Sequence, residues 1–150
     1  MRIAVAADHG GLPLKAQVIS ILEDAGAEAV DLGAYENDPQ DDYPDFARLV
    51  GRALQDGEAA RGILLCGSGV GACIAANKMT GVRASVCHDV YSAGQGVEHD
   101  DMNVLCIGSR IIGSAVVEHL VRAFVGARFD PGERFRRRLD KVLAMEAEAR

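Results

Sequence analysis

Five short apolar runs recur along the chain, and each is followed by a stretch with helical spacing. Arg2–Ala7 (RIAVAA) is bounded by a DHGG turn and reads as a buried strand. Pro13 then suits the first turn of a helix, and Leu14, Val18, Ile21, Leu22 and Ala25 share one helical face that Gly26 ends. Ala27–Gly33 reads as the second strand, residues 34–43 as a polar, acidic loop long enough to be functional, and Pro44 as the start of the second helix. The pattern repeats: strand Arg61–Cys66, glycine-rich loop Gly67–Gly71, helix Ala72–Met79; strand Arg83–His88, helix Asp89–Val97; strand Asn103–Gly108, helix Gly113–Gly126. A last polar helix is expected after Pro131-Gly132, running to the end. Strands that alternate with helices pair in parallel, because a parallel pair needs a crossover. The expectation is one α/β domain over residues 1–150: a doubly wound, Rossmann-like, five-stranded parallel sheet with right-handed crossovers, in the flavodoxin-like order 2-1-3-4-5.

Composition narrows the functional classes. The chain has 150 residues, 49% hydrophobic and 25% charged, which is ordinary globular usage and argues against disorder, collagen or coiled coil. No apolar run approaches the roughly 20 residues that span a bilayer. The apolar start, Met1–Ala7, is too short for a secretory signal. A cytoplasmic protein without membrane association is expected. A net charge of −6 gives no general attraction to a nucleic acid. The four cysteines, Cys66, Cys73, Cys87 and Cys106, form no C-x-x-C pair, which argues against a zinc or redox motif, and the last three sit in apolar segments as buried thiols.

Ligands of open α/β sheets bind beyond the carboxyl ends of the strands at the topological switch point, here between strands one and three. The loops at that place are Asp8-His9-Gly10-Gly11 and Cys66-Gly67-Ser68-Gly69-Val70-Gly71. Three glycines in five positions let backbone N–H groups turn toward an anion, either a phosphate or a developing oxyanion. No Gly-Lys-Ser/Thr follows, so this is not a Walker A loop; Gly67-x-Gly69-x-x-Ala72 with Asp89 half matches a dinucleotide fingerprint. A thiol at Cys66 facing such a loop is expected to be drawn toward thiolate and to serve as base or nucleophile. Asp8 suits sugar hydroxyls or a helix cap, and His9 a phosphate or a proton. His99, flanked by acids in a loop before the fifth strand, suits general acid work. Arg110 follows the fifth strand, and Arg134 and Arg138, four apart, share a helical face, with forks that match phosphate; Arg136 and Arg137 point elsewhere.

Together these residues resemble ribose-5-phosphate isomerase type B and its sugar-phosphate isomerase relatives, including galactose-6-phosphate and allose-6-phosphate isomerases. The resemblance rests on Asp8–Gly11, Asp42-Tyr43-Pro44, Gly62–Gly71, Ile74–Lys78, His99–Leu105, Gly108-Ser109-Arg110, and Arg134 with Arg138, and so covers nearly the whole chain. It implies an aldose–ketose isomerase acting through an enediolate, with no metal and no cofactor. By the same resemblance Cys66 is the carbon base, and the N–H groups of Gly67, Gly69, Val70 and Gly71 hold the enediolate oxygens. Ser68 assists proton exchange between O1 and O2, and Asp8 binds hydroxyls. His99 opens the furanose ring with Tyr43 nearby, and His9, Arg110, Arg134 and Arg138 bind phosphate. It also implies a homodimer, or a pair of dimers, with shared sites and the C-terminal helix packed on the partner.

The chain departs from the family pattern at three places. Phe135 stands where His often follows the first helix Arg, and Asp100 where Asn often follows the catalytic His. Ala72 stands where members without the cysteine carry Glu, so the cysteine branch applies. The first two bear on the substrate: Phe135 removes a polar group near the expected phosphate, and Asp100 can repel phosphate or grip a hydroxyl. The expected pair is ribose 5-phosphate and ribulose 5-phosphate. Alternatives are another aldose phosphate of four to six carbons, or a non-catalytic nucleotide- or flavin-binding module on the same fold.

Overall fold

The computed structural model describes residues 1–149. Its elements run β1 (Arg2–Ala7), α1 (Leu12–Asp24), β2 (Glu28–Asp31), α2 (Tyr43–Gln55), β3 (Arg61–Cys66), α3 (Val70–Ala76), β4 (Ala84–Val86), α4 (Val90–Asp100), β5 (Val104–Gly108), α5 (Ser114–Gly126) and α6 (Glu133–Glu148). All strand pairings are parallel. Among the described residues no helix is long and apolar enough to cross a membrane.

The sheet order is β2-β1-β3-β5-β4, which corrects the expected 2-1-3-4-5 at its last two places. The reason lies in what each strand can bury. A central strand of a parallel sheet is covered on both faces and must be apolar throughout. Every residue of β5 is buried, whereas β4 has three residues, with Ser85 exposed between two half-buried neighbours. β5 therefore pairs with both β3 and β4, and β4 forms the edge.

This exchange also decides where α4 lies. Right-handed crossovers that travel in opposite directions across a sheet fall on opposite faces. The connection from β3 through α3 to β4 runs outward, and the one from β4 through α4 to β5 runs back. The buried clusters agree. On one face α1, α4 and α5 pack Val18, Leu22, Val97, Leu120 and Phe124 against Ile3, Val5, Ile63, Leu65 and Ile107. On the other, α2 and α3 pack Ala47, Val50, Ala53, Ala72 and Ala76 against Ala4, Ala6, Leu64 and Cys106. Successive strand residues thus feed alternate layers, one of large side chains and one of small. α6 lies outside these layers, with Leu139 buried, and touches α4.

The ends of β1 and β3 are locked at close range. Ala7 stands opposite Leu65, and the Asp8 N–H donates to the Leu65 carbonyl at 3.2 Å. Gly11 then brings the start of α1 onto the β3 backbone: a Cβ there would fall 2.0 Å from the Leu65 carbonyl carbon. No side chain fits without moving backbone, so Gly11→Ala should lower unfolding free energy by about 2–3 kcal/mol, at the upper end of overpacking costs. Urea unfolding followed by circular dichroism measures it; an unchanged midpoint would disprove the close approach.

Candidate active site

Asp8 leaves β1 with its carboxylate 5% exposed and both oxygens engaged. Oδ1 accepts the Gly11 N–H at 2.8 Å, and the Cys66 thiol donates to Oδ2 at 2.8 Å. The first bond fixes the turn into α1, and the second joins the ends of β1 and β3. Next to it His9 is clamped by Asp41: its backbone N–H reaches Asp41 Oδ2 at 2.9 Å, and its ring Nδ1 lies 2.5 Å from Oδ1. The Asp41 hydrogen bond holds His9's pKa above its ordinary value; Asp41's charge and Asp8's add to this, against burial and Arg110. A ring so placed favours the cationic form that an anionic ligand prefers.

Cys66 ends β3 and is half-buried. Its thiol pKa is raised, not lowered: burial contributes most, then the hydrogen bond to Asp8 and Asp8's charge, while backbone N–H groups of Gly69 and Gly67 pull the other way. The glycine loop acts in the expected direction, but desolvation and the carboxylate overcome it. This corrects the expectation of a thiol drawn toward thiolate by its loop.

The loop itself turns at Gly69, whose φ of +80° is the left-handed conformation that suits glycine. α3 begins at Val70 rather than Ala72, so Val70 and Gly71 belong to its first turn. Val70's N–H donates to Ser68 Oγ at 3.3 Å, and Ser68 is exposed at the loop tip. The Tyr43 ring lies over Gly71, where a Cβ would come 2.8 Å from Tyr43 Cζ. Arg110 reaches over Gly67 from the end of β5, its guanidinium carbon 3.5 Å from a Cβ built there. Ser109 Oγ donates to the Gly10 carbonyl, tying the β5 end to the first loop.

Asp8, His9, Gly10, Cys66, Gly67, Ser68, Arg110 and Ile111 line one cleft of about 330 Å³. Tyr43, Gly69, Val70, Gly71, His99, Asp100, Arg134 and Arg138 do not line it. His99 sits in the last turn of α4, which extends three residues beyond the expected helix and takes His99 and Asp100 out of the expected loop. Its ring stacks on Phe135 of α6 with centroids 4.3 Å apart, and its Nδ1 meets Gln95 Nε2 at 2.6 Å. Arg134 and Arg138 are exposed on α6, with no hydrogen-bond or ion-pair partner among the described residues. Asp100 lines a separate, larger cleft of about 890 Å³ between α4, the β4 edge and α6. One chain thus carries two groups of polar residues, one at the sheet end and one on the α4–α6 flank.

Four contacts lie beyond what the sequence indicates. Asp41 is legible there only as part of an acidic loop. Gln95 stands four residues before His99, the spacing of one helical face, and that is its only signal. Phe135 stands out as a departure from the family pattern, with nothing to mark it as a stacking partner. His88 Nε2 accepts the Gly108 N–H at 2.9 Å, a partner on the neighbouring strand β5. Asp89, the ribose ligand of a dinucleotide reading, instead caps α4 by accepting the Ser92 N–H at 2.7 Å. All four cysteines are free thiols. Among the described residues no group of three His, Cys, Asp or Glu is arranged to hold a metal ion.

Comparison with known proteins places this geometry. The family model described as Ribose/Galactose Isomerase matches residues 3–142. Ribose-5-phosphate isomerase B of Escherichia coli (strain K12) is 41% identical over 145 residues, covering 97% of this chain and 96% of its own. D-erythrulose-4-phosphate isomerase of Pectobacterium atrosepticum is 38% identical over 135 residues, covering 88% and 87%. The crystal structure of ribose-5-phosphate isomerase B from Mycoplasma genitalium with bound ribulose-5-phosphate superposes with a TM-score of 0.90 at 40% identity, over 98% of this chain and 97% of that one. With a match that spans both polar groups and the sheet end between them, the chain belongs to the ribose/galactose isomerase family, and it is a sugar-phosphate aldose–ketose isomerase.

Proposed function

We propose that this enzyme interconverts ribose 5-phosphate and ribulose 5-phosphate through an enediolate, with Cys66 as the carbon base. The observation that carries the proposal is the cleft in which the Cys66 thiol, the Asp8 carboxylate and the start of the glycine loop, Gly67 and Ser68, meet. The raised thiol pKa makes the resting form protonated, so the base must first lose its proton, and Asp8 Oδ2 at 2.8 Å is the acceptor at hand. The thiolate then takes the C2 proton of the open aldose. The C–H electron pair forms the C1–C2 double bond, and the carbonyl pair moves onto O1. Backbone N–H groups of Gly67, Gly69, Val70 and Gly71 stabilise that oxyanion where its charge develops. Ser68 passes the O2 proton to O1, Cys66 returns its proton to C1, and Asp8 gives the thiolate back the proton it took.

The other polar group supplies ring opening and phosphate binding. His99 opens the furanose ring beside Tyr43, Asp8 holds sugar hydroxyls, and Asp100 lies next to the substrate. His9 and Arg110 bind phosphate with Arg134 and Arg138. Since His99, Asp100, Arg134 and Arg138 do not line the cleft of their own chain, we assign them to the cleft of a second copy in a homodimer or a pair of dimers. Remote phosphate binding then orients the sugar for the proton transfer. A second substrate, erythrose 4-phosphate, is favoured by the 38% identity to a relative named for D-erythrulose 4-phosphate.

Turnover of ribose 5-phosphate by chelator-treated protein, assayed beside a panel of aldose phosphates, tests the reaction. Cys66→Ala should reduce it by about 10³-fold or more while sugar-phosphate binding persists. Retained turnover would remove Cys66 as the base, and activity confined to another sugar would reassign the substrate. The acidity assignment has its own test in the pH dependence of iodoacetamide labelling at the Cys66 peptide. Labelling requires thiolate, so its midpoint should lie above the ordinary thiol range. Asp8→Asn removes a negative charge that opposes ionisation and should move the midpoint down; a rise would invert the assignment. A shared site predicts that Cys66→Ala and His99→Asn, each inactive, regain about a quarter of normal turnover when unfolded together and refolded, because half the dimers are mixed and each has one intact site. No regain would place both residues in one chain's site.

A further inference from the structure

We propose that Gln95 and Phe135 form a seat that orients His99, with Nε2 as its working nitrogen. The inference rests on the ring-opening role given to His99 above and adds the residues that make the role possible. A histidine on a helix keeps a choice between two χ1 rotamers and a broad χ2, so the backbone alone does not fix its ring. Here two contacts of different kinds set them. The Phe135 ring, 4.3 Å away and within 19° of parallel, fixes the plane of the imidazole. The Gln95 side chain, 2.6 Å from Nδ1, decides which edge of that plane faces α4. A stack alone would leave the ring free to turn over in its own plane, and a hydrogen bond alone would leave it free to hinge.

The chemistry of the partner matters as much as its position. The other nitrogen, Nε2, has no partner among the described residues, so it is left for a ligand. An amide serves Nδ1 in either proton state, donating through Nε2 of Gln95 when Nδ1 is bare and accepting through Oε1 when Nδ1 carries a proton. A carboxylate in its place would still hold Nδ1, accepting from its N–H, and would leave Nε2 to take up and release a proton. Ring opening needs both states: a proton must leave the anomeric hydroxyl and another must reach the ring oxygen. Gln95 lets His99 pass between them while the ring stays in place. Glu98 and Asp100, its acidic sequence neighbours, are exposed and make no hydrogen bond to the ring. Phe135 contributes without interfering, because a flat apolar face stacks on imidazole and does not compete for its nitrogens.

The test isolates ring opening from isomerisation. In the full-length Cys66→Ala protein the enediolate step is blocked, and exchange between the two anomers of [1-¹³C]ribose 5-phosphate is followed by magnetisation-transfer NMR. The Cys66→Ala protein should accelerate exchange over the buffer rate, and adding His99→Asn should abolish the acceleration. Adding Gln95→Met, which keeps length and helix preference but loses the hydrogen bond, should reduce it by about tenfold or more, the scale of effect expected from misplacing a reacting group. Phe135→Leu should do the same. Affinity for the sugar phosphate should stay within about twofold, because the seat acts on orientation and not on binding. Gln95→Glu, which restores a bond to Nδ1, and Phe135→Tyr, which restores the stack, should recover most of the exchange. If His99→Asn leaves exchange intact, or the Cys66→Ala protein gives none, the ring-opening role of His99 falls and the seat falls with it. If His99→Asn abolishes exchange but Gln95→Met does not, the role stands and the seat is wrong. A loss in Gln95→Met that Gln95→Glu fails to recover would mark Gln95 as structural filler and also overturn the proposal.

Discussion

A buried carboxylate holds the two central strands to each other and to the first helix. Asp8 has almost no exposure to solvent, yet both its oxygens are satisfied, one by the Gly11 N–H and one by the Cys66 thiol. Such a group is stable inside a protein only when hydrogen-bonded, and each of its bonds joins a different element. The turn after β1 and the close seat of α1 on β3 follow from it, and it adds to the burial that holds the Cys66 thiol pKa up. The same contact that shapes the switch point therefore also bears, beside burial, on the acid–base condition of the thiol.

The inversion of β4 and β5 has an equally wide reach. By making the last crossover run back toward the centre, it moves α4 to the face that α1 and α5 occupy. α4 then lies where α6 can touch it, and the pair presents His99, Phe135, Arg134 and Arg138 on one flank. In the order 2-1-3-4-5, α4 would share the face of α2 and α3. A choice between a three-residue strand and a five-residue strand for the edge thus arranges half of the polar residues.

Much of this is legible in the sequence. β1 and β3 begin and end at Arg2–Ala7 and Arg61–Cys66 as their apolar runs indicate, and the cleft gathers Asp8, His9, Cys66, Gly67, Ser68 and Arg110 at the switch point where two loops converge. Those are local signals, carried by neighbours in the chain. What is not legible depends on distant partners. Strand order is a competition between β4 and β5 for a doubly covered position, and periodicity describes each strand alone. Cys66's acidity depends on its burial and on a carboxylate 58 residues away, against a loop that is adjacent and pulls the other way. The extension of α4 through His99 ends at Asp101, which adopts a left-handed conformation that Asp tolerates and that no spacing rule points to.

The two layers beside the sheet are made of different stock. On the α1–α4–α5 side the interior is Leu, Ile, Val and Phe, where losing a methyl leaves a void and gaining one meets some give. On the α2–α3 side it is largely alanine and glycine: a Cβ at Gly62 would stand 2.3 Å from Val50 Cγ1, and one at Gly51 2.3 Å from Met79 Sδ. At its alanines and glycines there is little to remove and little room to add. Drift in the sequence is thereby asymmetric across the sheet, permissive in volume on one side and one-way on the other. The helix that carries the glycine loop, α3, is mounted on the one-way side, so the part of the molecule nearest the chemistry is also the part least able to change its dimensions.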